Sequence, residues 1–394
     1  MHTGDLLHFR LFEPQRQYPM FELNFEINQF LDDYWQQKPT FIKQGFVDFQ
    51  DPIAPDELAG LAMEEDLESR LVYLENDQWQ AECGPFKTFE RLEEEGATLL
   101  VQAVDHWHPD AQQLVRPFRF LPNWRIDDLM ISYSTPKGGV GPHIDNYDVF
   151  IIQGQGKRHW RVGARQPLPE FAAHGALKHC GPFEAAIDVE MEPGDILYIP
   201  SGCPHEGYAI EPSLNYSVGF RAPDQNDLLS SFTDYNIDNY ENALRYTDIP
   251  MQVRENPGCI EQAELEKLHQ VMLENCQTPE HLIPWFGRMI SEAKHELDIA
   301  IPEYPLENED IIEFLEDGAI FTRLGGLRAV YFEQTPKQVF INGGVYDVSG
   351  FVELAHYLCD QDEAASELIV LFKDEPEALT LFTKLVNLGY WYAE

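Results

Sequence analysis

The sequence predicts a mainly β protein with additional α-helices, centred on an antiparallel sandwich or barrel of the jelly-roll kind. Between Arg125 and Arg221, many short β-rich runs alternate with turn signals such as Pro193-Gly194-Asp195. Short strands at this spacing are typical of sandwiches and barrels. On both sides of this region, apolar residues recur at helical spacing, which adds helices to the β centre.

The composition supports packed cores and more than one domain. Of 394 residues, 44% are hydrophobic and 12% aromatic, which excludes a largely disordered chain. Single cores seldom grow beyond about 250–300 residues, so two or three domains are expected. The 27 Lys and Arg against 68 Asp and Glu give a net charge of −41. This charge would repel nucleic acid, and it indicates either a basic protein partner or simply a soluble surface.

Cysteine usage and hydropathy indicate a cytoplasmic protein. The six cysteines form no CxxC pair, which favours neither a structural zinc site nor a disulfide framework. No signal-like run occurs in the first twenty residues, and no stretch approaches the roughly 18 apolar residues that cross a bilayer. We therefore expect no membrane contact. The cysteines are Cys83, Cys180, Cys203, Cys259, Cys276 and Cys359.

Four segments are expected along the chain: a tail over residues 1–20, a catalytic domain over 21–223, a helical region over 224–302 and a small α/β domain over 303–394. In the second segment, apolar spacing predicts helices over Phe25–Trp35, Pro55–Leu71 and about Glu95–Trp107. The predicted strands are Asp127–Ser134, Asp145–Gln153, His159–Val162, Ala186–Met191, Ile196–Ile199, Gly207–Ile210 and Tyr216–Phe220.

The helical region presents apolar faces without a sheet of its own. Leu265, Leu268 and Met272 fall on one such face. The face must be buried against the barrel or against a second subunit, and we expect a homodimer.

The last segment predicts helices and a β-wing, as in a winged-helix domain. Its hairpin passes through Asn342-Gly343-Gly344, and its helices are expected over Ile311–Glu316, Phe351–Cys359 and Pro376–Leu388. Residues 301–394 carry five Lys and Arg and eighteen Asp and Glu, so 5 − 18 gives −13. Such a surface would repel DNA, which favours a protein-contact or structural role.

The motif Gly141-Pro142-His143-Ile144-Asp145 predicts a metal site. On a strand, His143 and Asp145 project to one face, and His205 of a later strand could join them. Two imidazoles and one carboxylate leave coordination positions open, which suits a non-haem Fe(II) enzyme that binds a co-substrate and dioxygen. The alternative is a chance HxD pair. A second histidine pair, His106 and His108, is interpreted as structural, because a two-residue spacing at a helix end points side chains apart.

Alternation along the strands selects further pocket residues. If Trp160 and Val162 face the core, Arg158 is an inward cation that needs an anion, either a bound carboxylate or a structural salt bridge. Asp128 and Tyr147 beside Met130 would suit the cation and alkyl stem of arginine or lysine, although Asp128 could instead cap a loop. Residues sharing a face are Asp128, Met130, Ser132 and Ser134 on one strand, and Asn215, Ser217 and Gly219 on another.

At these residues the sequence resembles JmjC-type 2-oxoglutarate oxygenases. More closely, it resembles the bacterial ribosomal oxygenases that hydroxylate an arginine of large-subunit ribosomal protein sixteen. The resemblance extends from about Phe21 to Trp391. It is carried by runs that include WRIDDLMISYS, GGVGPHIDNYDVFIIQGQGKRHWRVG, EPGDILYIPSGCPHEGYAI, NYSVGFRAP and WFGRMISEAKHELDIA.

The resemblance implies a JmjC/cupin double-stranded β-helix, a helical dimerisation region and a C-terminal winged helix that does not bind DNA. It implies Fe(II) bound by His143, Asp145 and His205, with 2-oxoglutarate and dioxygen as co-substrates. It further implies that Arg158, Ser134 and Asn215 hold 2-oxoglutarate, and that Asp128, Met130, Tyr147 and Ser217 line the pocket for the target arginine.

The implied reaction is hydroxylation of the arginine β-carbon (C3) in a basic ribosomal protein of the large subunit. Two alternatives are a JmjC-type demethylase or hydroxylase of another residue, and a non-catalytic cupin or winged-helix binding protein.

Overall fold

The computed structural model describes residues 21–239, 244–250, 256, 258–274, 282–333 and 335–393. The tail predicted over residues 1–20 lies outside these residues, as does Cys276. Close contacts divide the chain into two compact units. Their boundaries are not those of the four segments predicted from the sequence, and the division into four segments stays a prediction. The first unit is Met1–Ala222, Ala293–Leu327 and Asp360–Glu394, and the second is Pro223–Glu292 and Arg328–Cys359.

The first unit contains an antiparallel jelly roll, which confirms the predicted mainly β class. Its strands are β1 (Thr40–Ile42), β2 (Ser69–Glu75), β3 (Gln78–Cys83), β4 (Ala97–Val101), β5 (Ile126–Ser134), β6 (His143–Ile144), β7 (Asp148–Gln153), β8 (Arg158–Gly163), β9 (Glu170–His174), β10 (Leu177–Cys180), β11 (Ala185–Met191), β12 (Ile196–Ile199), β13 (Pro204–Ala209) and β14 (Ser213–Phe220). An eight-stranded sheet has the order β1-β12-β7-β14-β5-β4-β2-β3, and a four-stranded sheet has the order β11-β8-β13-β6. The strands β9 and β10 pair with each other.

Alternation along the central strands separates two faces of the large sheet. On β14, Tyr216, Val218 and Phe220 belong to an apolar core that also includes Phe30 and Leu58, from the helices α1 (Ile27–Asp33) and α2 (Pro55–Leu61). The residues between them on β14 face the other way. A second buried cluster, Val149, Ile151, Trp160, Val162, Met191, Leu197, Ile199 and Cys203, joins the large and the four-stranded sheet.

The helix predicted over Glu95–Trp107 is wrong. Residues Ala97–Val101 form the buried strand β4, between β2 and β5, and a short 3-10 helix follows over Val104–His106. A short, continuous apolar run does not distinguish a buried strand from a helix by its periodicity. The helix over Pro55–Leu71 is confirmed only to Leu61, because the strand β2 begins at Ser69.

Beyond residue 222 the fold is a mixture of helices and small sheets. In chain order the elements are α4 (Gln225–Asn239), α5 (Gln262–Leu273), α6 (Ile283–Ser291), α7 (Asn308–Glu316), β15 (Phe321–Arg323), β16 (Ala329–Phe332), β17 (Thr335–Ile341), β18 (Gly344–Asp347), α8 (Val352–Asp360), β19 (Glu363–Ala364), α9 (Leu368–Asp374), α10 (Pro376–Asn387) and β20 (Trp391–Ala393). One sheet has the order β19-β15-β20 and another β16-β17-β18. The hairpin predicted through Asn342-Gly343-Gly344 joins β17 to β18, with positive φ angles at Asn342 and Gly343.

One further helix of the first unit, α3, spans Pro109–Gln113 and precedes these elements.

The C-terminal part of the first unit is joined to the jelly roll by ion pairs. The carboxylate of Asp362 accepts hydrogen bonds from Arg116 at 2.9 Å, Arg119 at 2.8 Å and Arg323 at 2.6 Å. Asp362 is buried, so these three arginines together compensate a charge that would be costly alone.

Among the helices of the described residues, none combines the length and the apolar character needed to cross a membrane. None of the described cysteines, which are Cys83, Cys180, Cys203, Cys259 and Cys359, forms a disulfide.

Candidate metal centre and adjoining pocket

The three predicted metal ligands converge at one end of the four-stranded sheet. β13 pairs with β6 so that His205 lies directly opposite His143, and their ring centroids are 4.2 Å apart. Asp145 follows β6 at once. Its Oδ2 lies 3.8 Å from His143 Nε2 and 3.5 Å from His205 Nε2. Ligand atoms that each lie about 2.1 Å from one ion are at most about 4.2 Å apart, so this spacing fits a shared metal.

The hydrogen bonds of both imidazoles prepare them for a metal. His143 Nδ1 lies 2.9 Å from the carbonyl oxygen of Gly141, and His205 Nδ1 lies 3.1 Å from that of Cys203. A carbonyl can only accept, so Nδ1 carries the proton in each ring and Nε2 keeps its lone pair. Burial, together with the neighbouring His143, lowers the pKa of His205 to about 4. The neutral imidazole is the form that binds metals.

Arg158 is a buried cation held by two serines. Its guanidinium donates to Ser132 Oγ and Ser213 Oγ at 3.0 Å each, and to the carbonyl oxygens of Ser132 and Ser213 at 3.0 and 3.1 Å. It forms no ion pair with a carboxylate of the described residues, and burial lowers its pKa to about 9. An isolated buried charge is costly, so the site fits a bound anion.

Three serines near this guanidinium make different contacts. Ser134, predicted to hold the co-substrate, shares a hydrogen bond of 2.8 Å with Thr98. Ser132 and Ser213 contact the guanidinium instead. Alternation already placed Ser132 on the inward face, but Ser213 required the pairing of β14 with β5, which the sequence does not specify.

Asn215 offers a buried polar atom without a partner. Its Nδ2 donates to the carbonyl oxygen of Ile152 and to Gln153 Oε1, each at 3.2 Å. Its Oδ1 is buried and forms no hydrogen bond in the described part of the chain. Buried polar atoms are nearly always paired, so a bound molecule is expected beside it.

The four residues predicted to contact the substrate belong to adjoining strands and loops. Ser217 lies opposite Met130 in the pairing of β14 with β5. Burial, together with the nearby charges of Asp145 and Asp128, raises the pKa of the Tyr147 hydroxyl well above the usual value. Tyr147 thus lies near both a candidate metal ligand and Asp128.

Asp128 is a buried carboxylate with one oxygen already engaged. Its Oδ2 accepts hydrogen bonds from Gln102 Nε2 and from the backbone nitrogen of Ala103, both at 2.8 Å. Burial, and then the nearby charge of Asp105, raise its pKa to about 7. The loop-capping interpretation therefore applies to Oδ2 of this carboxylate. The other oxygen, Oδ1, could accept a hydrogen bond from a ligand.

The pair His106 and His108 has structural contacts, as the sequence interpretation states. His106 Nδ1 lies 2.9 Å from the carbonyl oxygen of Glu296. His108 precedes α3, and its Nδ1 accepts a hydrogen bond from the backbone nitrogen of Ala111 at 3.3 Å, so it caps that helix.

Comparisons with known proteins agree with this architecture. The JmjC domain family matches residues 113–228, and the ROXA-like winged helix family matches residues 269–392. The winged-helix prediction is thereby confirmed. The curated ribosomal protein uL16 3-hydroxylase of Escherichia coli K12 is 46% identical over 95% of this chain and 99% of its own length.

Solved structures give the same result. The crystal structure of E. coli YcfD superimposes with a TM-score of 0.91 over 95% of this chain and 100% of that one, at 46% identity. A structure of YcfD, described as a ribosomal oxygenase in complex with cobalt and 2-oxoglutarate, has a TM-score of 0.87 over 95% of this chain and 99% of that one, again at 46% identity. This chain belongs to the JmjC-domain ribosomal oxygenases.

Proposed function

We propose that the protein is an Fe(II)- and 2-oxoglutarate-dependent dioxygenase that hydroxylates the β-carbon of an arginine in a large-subunit ribosomal protein. The observation that carries this proposal is the convergence of His143, Asp145 and His205 in the same barrel as the uncompensated guanidinium of Arg158. The names of the relatives, a uL16 3-hydroxylase and a ribosomal oxygenase with cobalt and 2-oxoglutarate, support it.

The three ligands fit Fe(II) by their chemistry. His143 and His205 would bind through Nε2, since each Nδ1 donates to a backbone carbonyl, and Asp145 would bind through a carboxylate oxygen. Iron and 2-oxoglutarate, when bound, supply the activation of dioxygen and the electrons for hydroxylation. The chain would provide three ligands and so leave coordination positions open for the co-substrates.

Arg158 would anchor the far carboxylate of 2-oxoglutarate. Ser132 and Ser213 hold its guanidinium through hydrogen bonds. The guanidinium would therefore already be oriented when 2-oxoglutarate binds. Ser134 and Asn215 are proposed to support the same co-substrate. Asn215 brings a buried acceptor, Oδ1, which calls for a donor such as a water molecule between it and the carboxylate.

Asp128, Met130, Tyr147 and Ser217 would bind the target arginine. The carboxylate of Asp128 attracts the guanidinium, while Met130 and the ring of Tyr147 contact the alkyl stem. Tyr147 lies near Asp145, so the substrate would be held close to the metal ligands. Orientation decides which C–H bond reacts.

The charge of the molecule suits a basic protein partner. A net charge of −41 attracts a basic ribosomal protein, and the −13 of residues 301–394 disfavours DNA. We further propose that the enzyme is a cytoplasmic homodimer, joined through the helical region over 224–302. In the described part of that region, α5 exposes Leu265, Leu268 and Met272, with exposed fractions of 55%, 43% and 78%.

The decisive experiment incubates the protein with Fe(II), 2-oxoglutarate and the ribosomal protein, and measures succinate together with the mass of substrate peptides. We expect succinate formation and a gain of one oxygen on an arginine. His143→Ala should lose at least about 100-fold in turnover, because one of three metal ligands is removed. His356→Ala, a histidine of α8, is the control and should retain full turnover.

Absence of 2-oxoglutarate turnover in the unmodified protein, or unchanged turnover in His143→Ala, would refute the proposed function. Loss of a methyl group instead of a gain of oxygen would favour the demethylase alternative.

A further inference from the structure

A third polar residue lies beside the two carboxylates at the end of β5. One ring nitrogen of His295 and carboxylate oxygens of Asp127 and Asp128 all lie within 4.8 Å of one another. His295 comes from the segment that follows α6, more than 160 positions after β5. Nothing in the sequence pattern assigned a role to this histidine.

The segment that carries His295 is held firmly in place. The carbonyl oxygen of the next residue, Glu296, lies 2.9 Å from His106 Nδ1, and the rings of His106 and His295 contact edge to face, with centroids 6.0 Å apart. Gly326 packs so closely behind that a Cβ there would lie 2.2 Å from the ring of His106. The position of His295 is therefore built into the first unit.

The carboxylate of Asp128 alone cannot satisfy a guanidinium. Its Oδ2 already accepts two hydrogen bonds, from Gln102 and Ala103. Its Oδ1 faces Gly219, 3.6 Å from where a Cβ of that glycine would lie, and accepts no hydrogen bond from the described residues. A guanidinium presents five N–H donors in a planar fork, so it needs further acceptors beside this oxygen.

We propose that His295 is a specificity-determining residue that accepts a hydrogen bond from the substrate guanidinium beside Asp128, and so favours arginine over lysine. The ammonium group of lysine is compact and can pair with a single carboxylate oxygen. The planar guanidinium of arginine extends further and can donate to a second acceptor. This inference rests on the proposed function, because it concerns the substrate of the same site. A divalent cation is the competing ligand for this cluster, although two N–H donors already occupy Asp128 Oδ2.

The test measures peptide affinity rather than turnover. The protein is loaded with Co²⁺ and 2-oxoglutarate, and the dissociation constant is determined by calorimetry for a substrate peptide with arginine and for the same peptide with lysine. His295→Phe keeps an aromatic ring but removes the acceptor. It should raise the dissociation constant of the arginine peptide about tenfold, which corresponds to the loss of one charge-assisted hydrogen bond. The dissociation constant of the lysine peptide should change by less than about twofold.

His295→Gln is the matched variant. It keeps an acceptor of similar reach and should retain arginine affinity within about threefold of the unmodified protein. His295→Leu removes the acceptor with a smaller side chain and replaces the phenylalanine variant if that one does not fold. The dissociation constant of 2-oxoglutarate should be the same in all of them.

Unchanged arginine affinity in His295→Phe, or equal weakening of both peptides, would overturn the inference. The inference would also be overturned if the unmodified protein bound a second equivalent of Co²⁺ and the His295→Phe variant did not. If the unmodified protein forms succinate with the ribosomal protein while one of these results is found, only the inference fails. If it forms none, the proposed function fails.

Discussion

The surroundings of the Asp128 carboxyl group disfavour its ionisation. The side chain is buried, and its pKa is raised to about 7 by burial and by the charge of Asp105. The titratable groups around it are Asp105, Asp127, Tyr147 and His295. A guanidinium that binds at Oδ1 would supply the missing positive charge and favour the ionised form.

The pH dependence of substrate binding follows from this pKa. Below pH 7 the carboxyl is mostly protonated and neutral, so attraction of the substrate cation is lost as the pH falls. We expect the KM for an arginine peptide to rise about tenfold between pH 8 and pH 6, as the ionised fraction of a group with a pKa near 7 decreases. Steady-state succinate assays across this range measure it.

Asp128→Asn is the control for this dependence. The amide does not titrate, so KM should be high and nearly independent of pH, while the KM for 2-oxoglutarate stays the same. A KM profile in Asp128→Asn that still follows that of the unmodified protein would assign the dependence to another group.

Single residues of the site differ in how far the sequence predicts them. Arg158 follows from strand alternation alone, because Trp160 and Val162 on the same strand are apolar and buried. Ser213 and His295 do not follow, since each reaches its partners through pairing or packing between segments distant in the chain. Local periodicity carries no information about such contacts.

At the scale of elements, the helix α5, like α4, is notable for its exposure. It contains no buried residue, and Leu265, Leu268 and Met272 are exposed on it. By contrast, α6 buries Trp285, whose indole nitrogen donates to Ser231 of α4 at 3.0 Å. A contiguous apolar face without a cover is typical of an interaction site, which fits the proposed homodimer.

A charge placed on that face should prevent dimerisation. The double variant Leu265→Glu, Leu268→Glu would bury two carboxylates in the proposed interface. Burying each unpaired carboxylate costs several kcal/mol of association free energy, which is roughly enough to dissociate the dimer. Light scattering after size-exclusion chromatography should give half the mass of the unmodified protein. Glu266→Gln, on the same helix, should leave the mass unchanged, and a monomeric unmodified protein would contradict the proposal.

The elements themselves are predicted best where turns separate them. The strand over Ile196–Ile199 has the predicted bounds, between Pro193-Gly194-Asp195 and Pro200. The sequence predicts a helix at the strand β4, since four of its five residues are apolar, all five are buried, and the run shows no alternation. It predicts neither β9 nor β10, because exposed residues interrupt their apolar pattern.

The whole molecule combines a compact cationic group inside with a strongly acidic exterior. The net charge is −41, whereas Arg158 is enclosed by the barrel. The exterior field can accelerate the approach of a basic protein over long distances, but salt screens it, with a Debye length of about 10 Å at 0.1 M. The buried guanidinium is screened much less.

Ionic strength should therefore separate the two substrates. Between about 0.05 M and 0.5 M salt we expect kcat/KM for the intact ribosomal protein to fall about tenfold, since its encounter is steered by charge. The KM for 2-oxoglutarate should change less than about twofold, because Arg158, its proposed anchor, is buried. Equal salt sensitivity of both constants, measured by succinate formation, would contradict this view of the surface.

The close packing of Gly326 against His106 has a consequence for how the enzyme is made. The strands β1 to β14, with Arg116 and Arg119, leave the ribosome first, whereas His295, Arg323, Gly326 and Asp362 are synthesised later. A nascent chain would therefore form its barrel before His106 acquires its contacts with Gly326 and His295. On the proposed function, an enzyme that modifies a component of the translation apparatus would complete its substrate pocket only near the end of its own translation.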